Sequence, residues 1–180
     1  MPDEVQELKE RAEKAREDRS LAAVSLTMAA VAVFVAVVSL LGHRAHTEEV
    51  VLQAKASDQW AYYQAKSIRE HEDELVGDLS VAVASNDAAA MTKFREKAGQ
   101  EADRYKHDKE EIQAEARKLE QEVATERNRA DLFDLAEVFL EIGLVVTSIT
   151  LLSGRRIFWH VGIVLSVVGV VVAVIGGMVH

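Results

Sequence analysis

The stretch LFDLAEVFLEIGLVVTSITLL, Leu132 to Leu152, decides how this chain of 180 residues reads. Two other apolar runs, Leu21 to Leu41 and Ile157 to Val179, contain no Asp, Glu, Lys or Arg. At about 1.5 Å of rise per residue, each crosses a hydrocarbon core of roughly 30 Å as a helix. The middle run is uncharged only from Ile142 to Leu152, which is too short to cross. A spanning helix there takes in Glu141, and with it Glu137 and Asp134. The expected fold is all-α, with three transmembrane helices, the second of which carries carboxylates.

Working outward, the chain divides into a charged tail (1–20), a span (21–41), a long polar segment (42–131), a span (132–153), a tight loop (154–156) and a last span (157–179). The composition, 49% hydrophobic and 28% charged, averages these unlike parts. Of the net charge of −9, −8 falls between Gly42 and Glu137, where no basic cluster occurs. Nucleic acid is therefore not an expected partner, because phosphate binding relies on Lys and Arg; cations or basic partners fit better. The absence of cysteine excludes disulfides, thiolate zinc sites and thiol catalysis. The first run is longer than a signal-peptide core and reads as an uncleaved anchor. Lys9, Arg11, Lys14, Arg16 and Arg19 precede it, and Arg155 with Arg156 form the loop between the last two spans. By the positive-inside rule these two places lie in the cytoplasm, with the polar segment outside.

Between Gly42 and Glu137 there is no proline and no strand-like alternation, so the segment reads as helix. Seven-residue ladders run through both halves: Ala54, Ala61, Ile68, Leu75 and Ala82 in the first, and Met91, Ala98, Tyr105, Ile112, Leu119, Glu126 and Phe133 in the second. Ala102, Ala116, Val123 and Ala130 hold the interleaved position of the second ladder. Folding the halves back on each other, with Ala61 opposite Ile112, gives an antiparallel, coiled-coil-like extramembrane hairpin. Its tip falls near 85–87, at Ser85-Asn86-Asp87, which are turn and N-cap residue types. Gly77 and Gly99 are competing break points.

The stretch Ala56-Ser57-Asp58-Gln59-Trp60-Ala61-Tyr62-Tyr63-Gln64-Ala65-Lys66-Ser67-Ile68 follows soon after the first span. With the acidic entry to the second span and the Arg155-Arg156 loop before an aromatic, glycine-bearing third span, it resembles a family of bacterial membrane proteins, domain of unknown function 4337. The likeness covers most of the chain. It implies a three-span inner-membrane protein with no assigned activity, and supplies no catalytic residues. Physically, Trp60 and Tyr63 share one side of a helix and Tyr62 lies on another. They serve either as a contact surface for another subunit or protein, or as packing within the chain.

Asp134, Glu137 and Glu141 are spaced by three and four and share one helical face. Asp134 and Glu137 reach the headgroup zone, whereas Glu141 lies about 8 to 12 Å further in. A carboxylate at mid-bilayer costs about 2.5 to 3.5 kcal/mol and faces protein, a counter-charge or water. Ser39 is the nearest donor expected in the chain. Glu141 is then either protonated or set against its symmetry mates around a hydrated axis. Continuing the face through Ser148 to Arg155 outlines a candidate ion path in an oligomer. The alternative is one protonated acid packed against a neighbouring helix.

Gly162, Gly169 and Gly176 repeat every seven residues in the third span and allow close helix approach, between copies or within one chain. His71-Glu72-Asp73-Glu74-Leu75 lacks the second histidine of a zinc-protease helix. His43, His46 and Glu49 are at helical spacing but read as solvated residues above the bilayer, so neither metal nor cofactor is expected. No phosphate loop, nucleophile elbow or dinucleotide fingerprint occurs. The expected function is non-enzymatic: a homo-oligomeric membrane protein, surrounded by lipid, acting as a structural or interaction module through its hairpin. The alternative is a cation-conducting or proton-linked pore.

Overall fold

In the computed structural model the chain forms three helices, α1 (Pro2–Ala82), α2 (Ala88–Ser153) and α3 (Arg156–Met178). The structure describes the backbone of residues 2–82 and 88–179, and the side chains of 11, 21–79, 89 and 92–179. Each helix contains a stretch long and apolar enough to cross a membrane, and the described residues include no strand. The expected tip at 85–87 lies outside the described residues. Gly77 and Gly99 break nothing: both lie inside their helices, where an added Cβ would meet nothing within 4 Å.

Helix α2 ends where Gly154 takes φ +66°, a left-handed conformation that suits glycine. Its N–H donates to Thr150 O at 2.9 Å, closing the last turn. Arg155 is extended and Phe158 N–H donates to Arg155 O, so α3 begins one residue after the turn.

The chain divides into two compact units, Met1–Thr47 with Thr125–His180, and Glu48–Ala124. In the first, Val31, Val38 and Ala45 of α1 pack with Ala130, Phe133, Ala136 and Leu140 of α2, and Val170, Val172 and Ala173 of α3 lie against this cluster. Helix α3 approaches α2 along its glycines. A Cβ on Gly169 would stand 2.8 Å from Leu140 Cγ, and one on Gly162 would stand 2.7 Å from Gly143 O. Only hydrogen fits at such distances. Two polar side chains buried at this crossing bond within their own helices: Thr147 Oγ1 donates to Gly143 O and Ser166 Oγ to Gly162 O, each at 2.8 Å.

In the second unit, Leu52 and Ala56 of α1 and Ile112, Ala116 and Val123 of α2 are buried. The inward line of α2 is the one its heptads mark, with Ala98, Tyr105 and Leu119 half-buried along it. The inward line of α1 is a different one. Ala54, Ala61, Ile68 and Leu75 are exposed, and α2 contacts Trp60, Lys66, Ser67 and Glu70 instead. The physical reason is that the chosen line pairs opposite charges and continues the seven-residue spacing of the buried Val24, Val31, Val38, Ala45 and Leu52. A purely apolar count passes over it, because its middle is Tyr63, Lys66 and Glu70.

Candidate functional site

Two groups of residues carry the polar chemistry, one in each unit. In the second unit, Lys66 Nζ donates to Asp108 Oδ2 at 2.8 Å and Lys109 Nζ pairs with Glu70 Oε2. The polarity is crossed: α1 offers a cation then an anion, and α2 answers with an anion then a cation. Aromatic rings lie beside both ammonium groups, two at Lys66 and one at Lys109. Lys66 Nζ lies 5.0 Å from the Tyr105 ring centre and 5.5 Å from that of Tyr62, and Lys109 Nζ lies 5.6 Å from that of Tyr63. Trp60 meets Tyr63 edge-on with centroids 5.6 Å apart, and its Nε1–H donates to Glu120 Oε1 at 2.9 Å.

These contacts set the protonation states. The hydrogen bond from Lys66 holds the Asp108 carboxyl below its ordinary 3.8, against the opposing effect of burial. The reciprocal bond raises Lys66 above 10.5, and the bond to Glu70 raises Lys109 likewise. Lys66, Asp108 and Lys109 therefore stay charged near neutrality. Of the three candidate interface aromatics, Trp60 and Tyr63 are half-buried and engaged within the chain, while Tyr62 is half-exposed beside an open groove of about 670 Å³ with Ile112 and Glu115.

In the first unit the acidic face of α2 separates into distinct environments. Asp134 Oδ2 accepts from His46 Nε2 at 3.0 Å, a contact across 88 residues that sequence reading missed. The signal available was positional, a histidine just beyond the first span and an aspartate at the mouth of the second. Close approach at this level is permitted by Gly42, whose absent Cβ would lie 3.4 Å from Phe133 Cβ. His43 turns away, donating from Nδ1 to Ser39 O at 2.8 Å. Among the described residues no three His, Asp or Glu side chains converge to hold a metal.

Glu137 is partly buried and Glu141 is exposed, flanked by the exposed Val138, Ile142 and Val145. Glu141 makes no hydrogen bond or ion pair with a described residue, so Ser39 is not brought to it. Further along α2, Ser148 Oγ bonds back to Val145 O at 2.7 Å, and Arg155 is exposed beyond the helix end. Gly162, Gly169 and Gly176 are buried against α2 of the same chain, opposite Gly143 and Thr147, Ala136 and Leu140, and Leu132 and Phe133 respectively.

The chain matches the profile of the family described as Domain of unknown function (DUF4337) over residues 20–179, and it belongs to that family. No curated protein and no solved structure matches it.

Proposed function

We propose that the chain is a non-enzymatic, multi-pass protein of the bacterial inner membrane that works as a homo-oligomeric structural or interaction module. Its lipid-embedded spans anchor an antiparallel, coiled-coil-like hairpin, which meets other copies or a protein partner. The observation that carries this reading is the crossed pair Lys66–Asp108 and Glu70–Lys109 with its aromatic surround. The side chains of this segment best equipped for chemistry are committed to pairing α1 with α2. A charge pattern of this kind specifies which residue of one helix meets which of the other, as interaction modules require. The N-terminus lies in the cytoplasm, on the strength of the basic flanks at Lys9 to Arg19 and Arg155-Arg156.

Mass measurement on the full chain in mild detergent and in lipid discs tests the assembly. The expected result is a multiple of the 19.9 kDa chain. A monomer under both conditions removes the homo-oligomer from the reading.

A second reading rests on Glu141, an acid within an apolar run that its own chain leaves uncovered. An oligomer bringing these carboxylates together would have a proton or cation path continuing past Ser148 to Arg155, with Glu137 and Asp134 at its outer mouth. Ion flux into liposomes, wild type beside Glu141→Gln, tests it. No flux in either protein rejects the path and leaves the structural module.

A further inference from the structure

We infer that the outer face of α1 in the second unit, from Ala54 to Leu79, is the surface on which a second copy of the chain packs, α1 beside α1 in parallel register. This rests on the oligomeric reading above and names its interface. Ala54, Ala61, Ile68 and Leu75 recur every seven residues, with Ala65 and Leu79 at the interleaved position, and all six are exposed. The larger three are 60%, 50% and 64% exposed, although α2 already packs on the opposite side of the helix. Helix α1 thus carries two seven-residue lines, and the chain itself uses one.

The spacing bears on what covers the other. A sustained seven-residue repeat keeps one line of side chains against another helix, a demand that a lipid surface or a rounded pocket does not make. The outer side of α2 offers no matching line, since Phe94 is its one large exposed apolar residue between Thr92 and Asp131. The complementary surface on this chain is α1 itself. Copies inserted the same way in one membrane present α1 in the same direction, which makes the pairing parallel.

Charge permits this contact despite the acidity of the segment. Asp58 and Glu72 fall on the interleaved position and oppose their own mates, but Lys55 and Arg69 stand three residues before them. Lys55 and Arg69 thus offset Asp58 and Glu72, and Asp78 leaves this face with one net negative charge per chain. The lateral contacts, five residues apart between copies, set Ser57 beside Tyr62, Gln64 beside Arg69 and His71 beside Val76, with no like-charged pair. The two acid layers weaken the association and hold the copies in register, as isolated polar residues do at such positions.

The native chain has no cysteine, so single replacements report contacts directly. In the full-length protein in lipid discs, Ala61→Cys and Ile68→Cys should each form covalent dimers under mild oxidation. The yield should exceed that of His107→Cys, exposed on α2, by at least about tenfold, because the paired thiols are held at high effective concentration. Ile68→Glu should shift the mass distribution toward the monomer, and Asp58→Ala with Glu72→Ala should shift it toward the oligomer. An oligomer by mass in which neither Ala61→Cys nor Ile68→Cys cross-links above the control overturns this interface and leaves the oligomeric reading standing. Cross-linking between Ala54→Cys and Glu72→Cys copies, without same-site products, overturns the parallel sense. A monomeric wild type overturns both the interface and the oligomer.

Discussion

Lys66 Nζ lies 2.8 Å from Asp108 Oδ2, and the neighbouring pair, Glu70 with Lys109, repeats the contact with its charges exchanged. Sliding α2 by seven residues would set Glu70 against Ala102 or Ala116 and Lys109 against Tyr63 or Gly77. Only one register satisfies both pairs. Reversing one member, Lys109→Glu, is expected to destabilise the second unit by roughly 1 to 3 kcal/mol, between the values for exposed and buried pairs. The double change Glu70→Lys with Lys109→Glu should recover most of that loss. Chemical unfolding of the wild type, Glu70→Lys, Lys109→Glu and the double variant measures the coupling, and a double variant no better than Lys109→Glu would show that the pair does not set the register.

The same contacts make the unit sensitive to pH at both ends. Asp108 is held below 3.8 when folded, so its contribution is fully present above about that pH and is lost as the pH falls through the lowered folded value. Lys66 and Lys109 are raised above 10.5, so theirs is present below that pH and disappears as the pH rises through the raised values. Thermal melting followed by helix content should therefore show a plateau between these limits and a decline on each side. Lys66→Met should remove the part of the acid-side decline that Asp108 contributes. An unchanged acid limb in that variant would place the titrating group elsewhere.

Close packing of α3 on α2 predicts a strong dependence on position among its glycines. At Gly169 a Cβ would lie 2.8 Å from Leu140 Cγ and 2.9 Å from Ala136 O, whereas at Gly177 it would meet nothing within 4 Å. Gly169→Val should cost roughly 1 to 3 kcal/mol through overpacking, and Gly177→Val should be close to neutral. Unfolding titrations in mixed detergent distinguish them, and equal stability of the two variants would contradict the helix contact.

Which parts of this arrangement are legible in the sequence follows from what each depends on. The three helices, and the inward line of α2 through Ile112 and Ala116, depend on local composition and spacing, and both are visible there. The inward line of α1 depends on pairing Lys66 and Glu70 with residues about forty positions away, which periodicity cannot register. The glycines of α3 mark a close helix contact in either case, because small residues at seven-residue spacing look the same whether the partner is α2 or another chain. Glu141 is conspicuous as a carboxylate within an apolar run. Its exposure is a tertiary fact, set by which sides of α2 are taken by α1 and α3.

The proposed orientation gives a last expectation, independent of the pairing in either unit. With no native cysteine, Ser153→Cys and Ala114→Cys each introduce one exposed thiol, and both leave Arg155 and Arg156 in place. If the basic flanks face the cytoplasm, a membrane-impermeant maleimide should label Ala114→Cys in intact spheroplasts and Ser153→Cys only after lysis. Ala114 lies in the segment that carries most of the net negative charge, and Ser153 adjoins the arginine loop, so the two sites report opposite faces of the second span. The reverse pattern would invert the topology and put the Lys66–Asp108 and Glu70–Lys109 pairs in the cytoplasm. Labelling of both sites before lysis would mean that the second apolar run does not cross, and Glu141 would then need no partner in the membrane.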